Sequence, residues 1–262
     1  MRRWITILLL TAMVITIVGC GSKEDKLASI KASGKLVLGT SADYPPYEFH
    51  HTNNGQDEIV GFDISIAQQL AKDLGVKLEI QDMKFDGLLL ALNSNKVDLV
   101  ISGMTPTEER AKSVDFTNVY YTAEQGVLVK KDAAASYQTF DDLKGKRIGV
   151  QKGSLQEGIA KGIEGAKLTS LGKISELIME LNSGRVDAIM AEMPVTKLYA
   201  SNQPELTLTD IVVPTDQEGS AAVAVKKGNK TLVDALNTSL DKIKQNGSLD
   251  EYIVEANKLL SE

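Results

Sequence analysis

The chain has 262 residues, with 29 Lys and Arg against 35 Asp and Glu, a net charge of −6, one cysteine and two histidines. The acidic balance excludes an electrostatic nucleic-acid binder, and a single cysteine excludes both an internal disulfide and a multi-cysteine metal site. The length suffices for two lobes of ordinary size.

The amino terminus reads Met1-Arg2-Arg3, an apolar stretch from Trp4 to Val18, then Gly19-Cys20. A basic start and a short apolar core predict a signal peptide over 1–19; the stretch is short for a span of ~20 residues. The pattern resembles the lipobox of bacterial lipoproteins, which implies that Cys20 is lipidated and becomes the first mature residue. Residues 20–33 then read as a polar, lipid-anchored tether.

Gly34 to Thr40 predicts a first buried strand, and Asp43-Tyr44-Pro45-Pro46-Tyr47-Glu48-Phe49 a loop stiffened by its prolines. Asn53 to Gln56 marks a turn. From Gly61 the period becomes helical: Phe62, Ile66, Leu70 and Leu74 share a face, and Gly75 ends it. Strand 77–80, a helix through Leu88 to Leu92 and strand 97–102 complete a β-α-β-α-β series. Lys146 to Val150 opens a second such series, which runs to Glu192. One more strand, 221–225, and helices near 231–245 and 249–260 close the chain. Alternation of this kind predicts a mainly parallel sheet flanked by helices in each lobe.

A repeat supports two lobes. Leu92-Asn93-Ser94-Asn95-Lys96-Val97-Asp98-Leu99-Val100-Ile101-Ser102-Gly103-Met104 returns as Leu181-Asn182-Ser183-Gly184-Arg185-Val186-Asp187-Ala188-Ile189-Met190-Ala191-Glu192-Met193. One helix-turn-strand unit is used twice, at a spacing too long for a solenoid. The expected organisation is a first lobe over 34–123 and 219–262, a second over 124–218, and two hinge crossings between them. Ligands of such sheets sit beyond the carboxyl ends of the strands, where the two copies differ most.

Thr105-Pro106-Thr107-Glu108 fits a capping box with Thr105 as the cap, and Ser154 with Glu157 fits another. Capping by itself accounts for both. Free amides at either helix start could also take an anion, and Arg110, in the second turn of the first of these helices, could reach back with a two-pronged donor for a carboxylate; a solvated arginine balancing Glu108 and Glu109 is the alternative.

As a set these residues resemble the amino-acid-binding proteins of bacterial ABC importers, the polar-amino-acid group (solute-binding protein family 3). The marks are Asp43 to Phe49, Gly61-Phe62-Asp63-Ile64, Ser102-Gly103-Met104-Thr105 with Arg110, Phe116 to Tyr121, Gly145 to Ser154 and Val186 to Ile189, in that order along nearly the whole mature chain. The resemblance implies a two-lobed α/β fold of the periplasmic-binding-protein type (type II). It further implies that Arg110 takes a ligand carboxylate with Thr105 and Ser154, that Glu192 takes the ammonium with Ser102 or Gly103, and that Tyr44 and Phe85 sandwich the side chain. Gln151, inside the Gly145 to Ser154 segment, and Leu155, the residue after it, are further binding candidates. Many relatives have aspartate where Glu192 stands. Ser41, Asp43, Glu48, Asp63 and Gln125 are candidates for contacting the ligand side chain; the plainer reading of the last four is a cap or a surface charge, and Asp63 in particular sits where an N-cap is needed.

The expected protein is a monomeric lipoprotein on the outer face of a Gram-positive cytoplasmic membrane. It would bind a polar or basic L-amino acid, arginine being a plausible choice, and deliver it to a permease driven by a cytoplasmic ATPase, with no cofactor and no metal. Hydrolytic motifs are lacking: there is no G-x-S-x-G, and His50-His51 precede a turn. A cyclohexadienyl or arogenate dehydratase on the same fold is the enzyme alternative, and an extracellular sensor module is a third.

Overall fold

The protein is described by a computed structural model over residues 25–215 and 219–260. The expected signal peptide and Cys20 lie outside these residues. No helix among the described residues is long and apolar enough to cross a membrane.

Where part of a tether was expected, the chain forms helix α1 (Lys26–Ser33). Asp25 caps it by accepting from the Leu27 amide at 3.1 Å, and Gly34 stops it at φ 68. Ile30 is buried, and Lys26 pairs with Asp98 at 2.6 Å. A short polar helix held by one buried side chain has no periodic signature, so its sequence reads as a tether.

Strand β1 (Lys35–Thr40) follows as expected. The Pro-Pro loop is part of an antiparallel ribbon, β2 (Asp43–Tyr44), β3 (Glu48–Asn53) and β4 (Gln56–Val60), turned by Asn54 and Gly55 at positive φ. At Gly61 a Cβ would lie 2.1 Å from the Tyr47 carbonyl oxygen, so only glycine fits. Helix α2 (Phe62–Leu74) buries Phe62, Ile66 and Leu70 and ends at Gly75. Next come β5 (Lys77–Asp82), a 3₁₀ turn (Phe85–Gly87), α3 (Leu88–Asn93), β6 (Leu99–Val100), α4 (Glu108–Ala111) and β7 (Val114–Phe116). The second lobe holds β9 (Gln125–Lys130), reached through β8 (Tyr121–Ala123), then β10 (Arg147–Gln151), α5 (Leu155–Lys161), β11 (Lys167–Leu171), α6 (Ile174–Asn182), β12 (Ala188–Glu192), α7 (Met193–Asn202) and β13 (Leu206–Leu208). The chain returns through β14 (Gly219–Ala221) to β15 (Ala224–Lys226), α8 (Lys230–Gln245) and α9 (Ser248–Leu259).

The sheet orders are β5-β1-β6-β15-β7 and β11-β10-β12-β9-β13. Four of the five strands of each sheet run the same way: β1, β5 and β6 pair in parallel, as do β10, β11 and β12, while β15 and β9 run against them and pair antiparallel on both sides, so that β7 and β13 again share the direction of the parallel strands and each sheet is mixed. The antiparallel strands flank the two crossings, where the chain enters or leaves a lobe without a crossover helix. β8 and β14 pair antiparallel as the ribbon through which the chain passes both ways. Leu232, Leu236, Leu240 and Ile243 bury one face of α8, which packs with α9 against α2.

Candidate functional site

Between the lobes lies a cavity lined by Tyr44, Phe85, Ser102, Gly103, Thr105, Arg110, Gln151, Ser154, Leu155, Gln156 and Glu192. All ten residues expected at an amino-acid site are there, and Gln156 is an addition. The reason is topological: Gln151 and Glu192 end β10 and β12, Phe85 and Ser102 lie just past β5 and β6, and Ser154 to Gln156 start α5. The cavity measures about 10 Å³, room for about one water. An amino acid entering it must part the lobes. A solvent-open groove of about 1180 Å³ adjoins it and shares Phe85, Arg110, Ser154 and Leu155.

Arg110 spans the cleft. Nη1 donates to the Thr105 carbonyl at 2.7 Å and Nη2 to the Gly153 carbonyl of the other lobe at 2.8 Å, with the guanidinium 5.4 Å from the Phe85 ring centre. Burial pulls its pKa down to about 10, so it stays charged at neutral pH. The expected cap is displaced: Thr107, not Thr105, accepts from the Arg110 amide at 3.2 Å, and α4 has a single turn. The Thr105 carbonyl instead accepts from the Thr107 amide and from Arg110, which delays the helix. One turn adds little dipole, so charge at this end of the cavity comes from the guanidinium. Across the cleft, Ser154 does cap α5, accepting from the Glu157 amide at 3.1 Å, while the Glu157 carboxylate accepts from Gly153 N rather than from Ser154 N.

Glu192 is buried at the opposite side. Its carboxylate accepts from the Tyr47 hydroxyl, and its amide donates to the Tyr44 hydroxyl at 3.0 Å, both across the cleft. Burial raises its carboxyl to about 8, with Asp63 adding to the rise and Tyr47 and Arg110 opposing it. Sequence reasoning missed Tyr47, whose ring packs on Tyr44, Phe62 and Tyr121 at centroid distances of 5.6, 4.5 and 5.7 Å. It also missed Gln156, whose amide donates to Gln125 Oε1 at 2.6 Å. Tyr47 lies in a motif already singled out; Gln156 carries no signal beyond its place two residues past the cap.

None of the five side-chain candidates lines the cavity. Ser41 and Glu48 lie behind Ser102: the Ser41 amide donates to Ser102 Oγ at 3.1 Å, and Ser102 donates to Glu48 at 2.6 Å. Asp63 is neither a cap nor a surface charge. It is buried, accepting from Gly103 N at 2.8 Å and Tyr120 OH at 2.8 Å, while Gly61 holds the cap position of α2. Asp43 accepts from Ser175 N and Oγ at 2.9 and 3.0 Å across the cleft, and Gln125 meets Gln156. Ion pairs also bridge the lobes: Asp82–Lys173 at 2.9 Å, Lys84–Glu176 at 3.2 Å and Asp86–Lys152 at 2.8 Å. His50 pairs with Asp57 at 2.8 Å within the exposed hairpin. Among the described residues no three His, Cys, Asp or Glu are grouped to hold a metal ion.

Residues 36–176 and 166–255 match the bacterial extracellular solute-binding proteins, family 3. The arginine-binding extracellular protein ArtP of Bacillus subtilis is 40% identical over 254 residues, covering 96% of each chain. The amino acid ABC transporter substrate-binding protein AbpA of Streptococcus pneumoniae, solved bound to L-arginine, superposes with a TM-score of 0.87 at 42% identity, covering 90% of this chain and 99% of its own. The ancestral amino-acid-binding protein AncCDT-1, a precursor of cyclohexadienyl dehydratase, gives 0.80 at 37% identity over 87% of this chain and 98% of its own. ArtP is named as a binding protein and AbpA as a substrate-binding protein of a transporter, and this chain likewise is a binding protein rather than an enzyme. It belongs to the bacterial extracellular solute-binding proteins of family 3.

Proposed function

We propose that the protein is a lipid-anchored receptor that closes on L-arginine and presents it to a membrane permease powered by a cytoplasmic ATPase. The observation that carries this reading is a cavity lined from both lobes, with a guanidinium from one and a carboxylate from the other. The ligand carboxylate meets Arg110, Thr105 and Ser154. Its ammonium meets Glu192 and the Ser102–Gly103 segment, and its side chain lies between Tyr44 and Phe85 with Gln151 and Leu155 as walls. A planar guanidinium suits a carboxylate because two parallel donors match two acceptors. The arginine-bound relative and ArtP favour arginine over other polar amino acids.

Residues 34–123 with 219–262, and residues 124–218, act as rigid lobes about the β8–β14 ribbon, a few residues of which absorb the rotation. Moving them from mostly open to mostly closed takes ~5 kcal/mol of differential affinity, which contacts to one lobe alone do not supply. Lipidation of Cys20 holds a monomer at the outer face of a Gram-positive cytoplasmic membrane.

Thermal-shift screening of the mature protein against the twenty amino acids, followed by calorimetry, tests the reading. L-arginine should give the largest stabilisation and be recovered unchanged. Stabilisation by no amino acid would overturn the reading, and steady conversion of prephenate to phenylpyruvate would replace it with the dehydratase. Cys20→Ala should free the protein from the membrane at unchanged affinity.

A further inference from the structure

Behind the ammonium side of the cavity are two carboxyl groups that line no part of it. Glu48 and Asp63 are both 0% exposed. Asp63 is well supplied with donors, the Gly103 amide at 2.8 Å and the Tyr120 hydroxyl at 2.8 Å. Glu48 is not. Its Oε1 accepts from Ser102 Oγ at 2.6 Å, but its Oε2 is buried and meets no donor. The charged groups that act most on Glu48 are Asp63 on α2 and Asp43 on β2, both acidic, and the hydroxyls of Tyr44 and Tyr120 stand nearby. Two ionised carboxylates side by side in a buried pocket would leave one oxygen unpaired and both charges unscreened, each costly. One proton removes the conflict.

We propose that Glu48 keeps a proton and donates it from Oε2 to Asp63, and that this pair fixes Ser102 and Gly103 with their oxygen acceptors toward the cavity, making Glu48 a positioning residue. Every hydrogen then has one acceptor: Ser41 N–H to Ser102 Oγ, Ser102 O–H to Glu48 Oε1, Glu48 Oε2–H to Asp63, and Gly103 N–H and Tyr120 O–H to Asp63. Because Ser102 spends its hydrogen on Glu48, it offers the cavity a lone pair, the right partner for an ammonium. Burial followed by the Asp63 charge pushes the Glu48 carboxyl well above the usual carboxylate range, in keeping with this arrangement.

The inference rests on the amino-acid-binding reading only for its affinity arm. In the ligand-free protein at neutral pH, the infrared difference between wild type and Glu48→Gln should contain a protonated-carboxyl band that shifts in heavy water; its absence overturns the proposal whatever the protein binds. Glu48→Leu should weaken L-arginine binding about tenfold. Glu48→Gln should recover most of that loss, because its amide donates to Asp63 and accepts from Ser102 as the acid does. If Gln binds as poorly as Leu, an ionised carboxylate is required and the proposal fails; if Leu binds as well as wild type, Glu48 positions nothing. Should Glu48→Leu not fold, affinity of Glu48→Gln within about threefold of wild type takes its place as the expected result, and a larger loss counts against it. A wild type that binds no amino acid would remove the function proposed above and leave the infrared result to decide the proton.

Discussion

The two copies of the repeat are the same scaffold with different ends. In the first, Asp98 accepts from the Val37 amide at 2.8 Å and its own amide donates to the Val37 carbonyl at 2.8 Å. In the second, Asp187 does the same with Arg147, at 2.8 and 2.7 Å. Each pins the start of its lobe's first repeated strand. Gly39 and Gly149 correspond as well: a Cβ on the first would meet Val97 at 3.2 Å, and on the second Leu177 at 3.2 Å and Val186 at 3.5 Å. Even surface exposure repeats, since Leu90 and Met179 occupy equivalent helix positions and are 74% and 60% exposed. At the strand ends the likeness stops. Ser102 turns inward to Glu48 of its own lobe, whereas Glu192 reaches across the cleft to Tyr44 and Tyr47. Scaffold residues are held by contacts within one lobe and the end residues are free to diverge, so one strand end offers neutral acceptors and the other an ionisable carboxyl.

The divergent ends should respond most strongly to mutation. Arg110→Ala is expected to cost ~2–5 kcal/mol of ligand affinity in a folded protein, because it strips the partner from a desolvated carboxylate. Arg110→Lys should not restore it, since an ammonium lacks the two-pronged geometry. Calorimetry giving near-normal affinity for Arg110→Ala would remove Arg110 from the site.

Glu192 gives the next largest effect, through pH. Its carboxyl is raised to about 8 in the ligand-free protein, chiefly by burial. An ammonium partner favours the ionised form, so binding should release a proton below that value. Affinity should therefore rise with pH, by up to about tenfold per unit, and level off above about 8. Calorimetry at several pH values in buffers of different ionisation heat reads this directly. Glu192→Gln should flatten the profile; a profile equally steep in that variant would assign the proton elsewhere.

The conserved half of the comparison is tested by stability. Asp98→Asn and Asp187→Asn each remove a charged acceptor from a strand amide and break an ion pair, to Lys26 and Arg147 respectively. Each should lower the unfolding free energy by about 1–3 kcal/mol in denaturant titrations. Unequal losses, with one near zero, would show that the copies are similar in geometry and not in energetics. Arg147 beside Asp187 holds that carboxyl below its usual range. Its stabilisation is thus present above the unfolded value of ~3.9 and is lost as pH falls through the folded one.

The smallest effect belongs to the bridging ion pairs. Lys173→Ala removes the Asp82 contact, in which both side chains are 21–27% exposed. A loss of about 0.2–1 kcal/mol in favour of the open form is expected, visible as a larger radius of gyration by solution scattering without ligand. High salt should mimic it in wild type. No change in either experiment would mean that the polar contacts of Tyr44, Tyr47, Asp43 and Arg110 alone hold the lobes together.

Local rules made much of this molecule legible before any coordinates. Helix periodicity and a glycine at positive φ located α2 and its end; an Asn-Gly pair located the ribbon turn; the repeat located two sheets and the strand ends where ligands sit. Those signals depend only on neighbours in sequence, and the ten cavity residues followed from them together with the family resemblance. Tertiary structure alone decided the rest. Asp43 is spent on Ser175, 132 residues away, Glu192 meets Tyr44 across 148, and Glu48 is buried beside Asp63 instead of facing a ligand. Thr107 displaced Thr105 as a cap because Arg110 competes for the Thr105 carbonyl, and one buried isoleucine turned a tether into α1. A polar side chain in a cleft takes whichever donor or acceptor the fold brings within 3 Å or so, and the sequence of its own segment does not contain that partner.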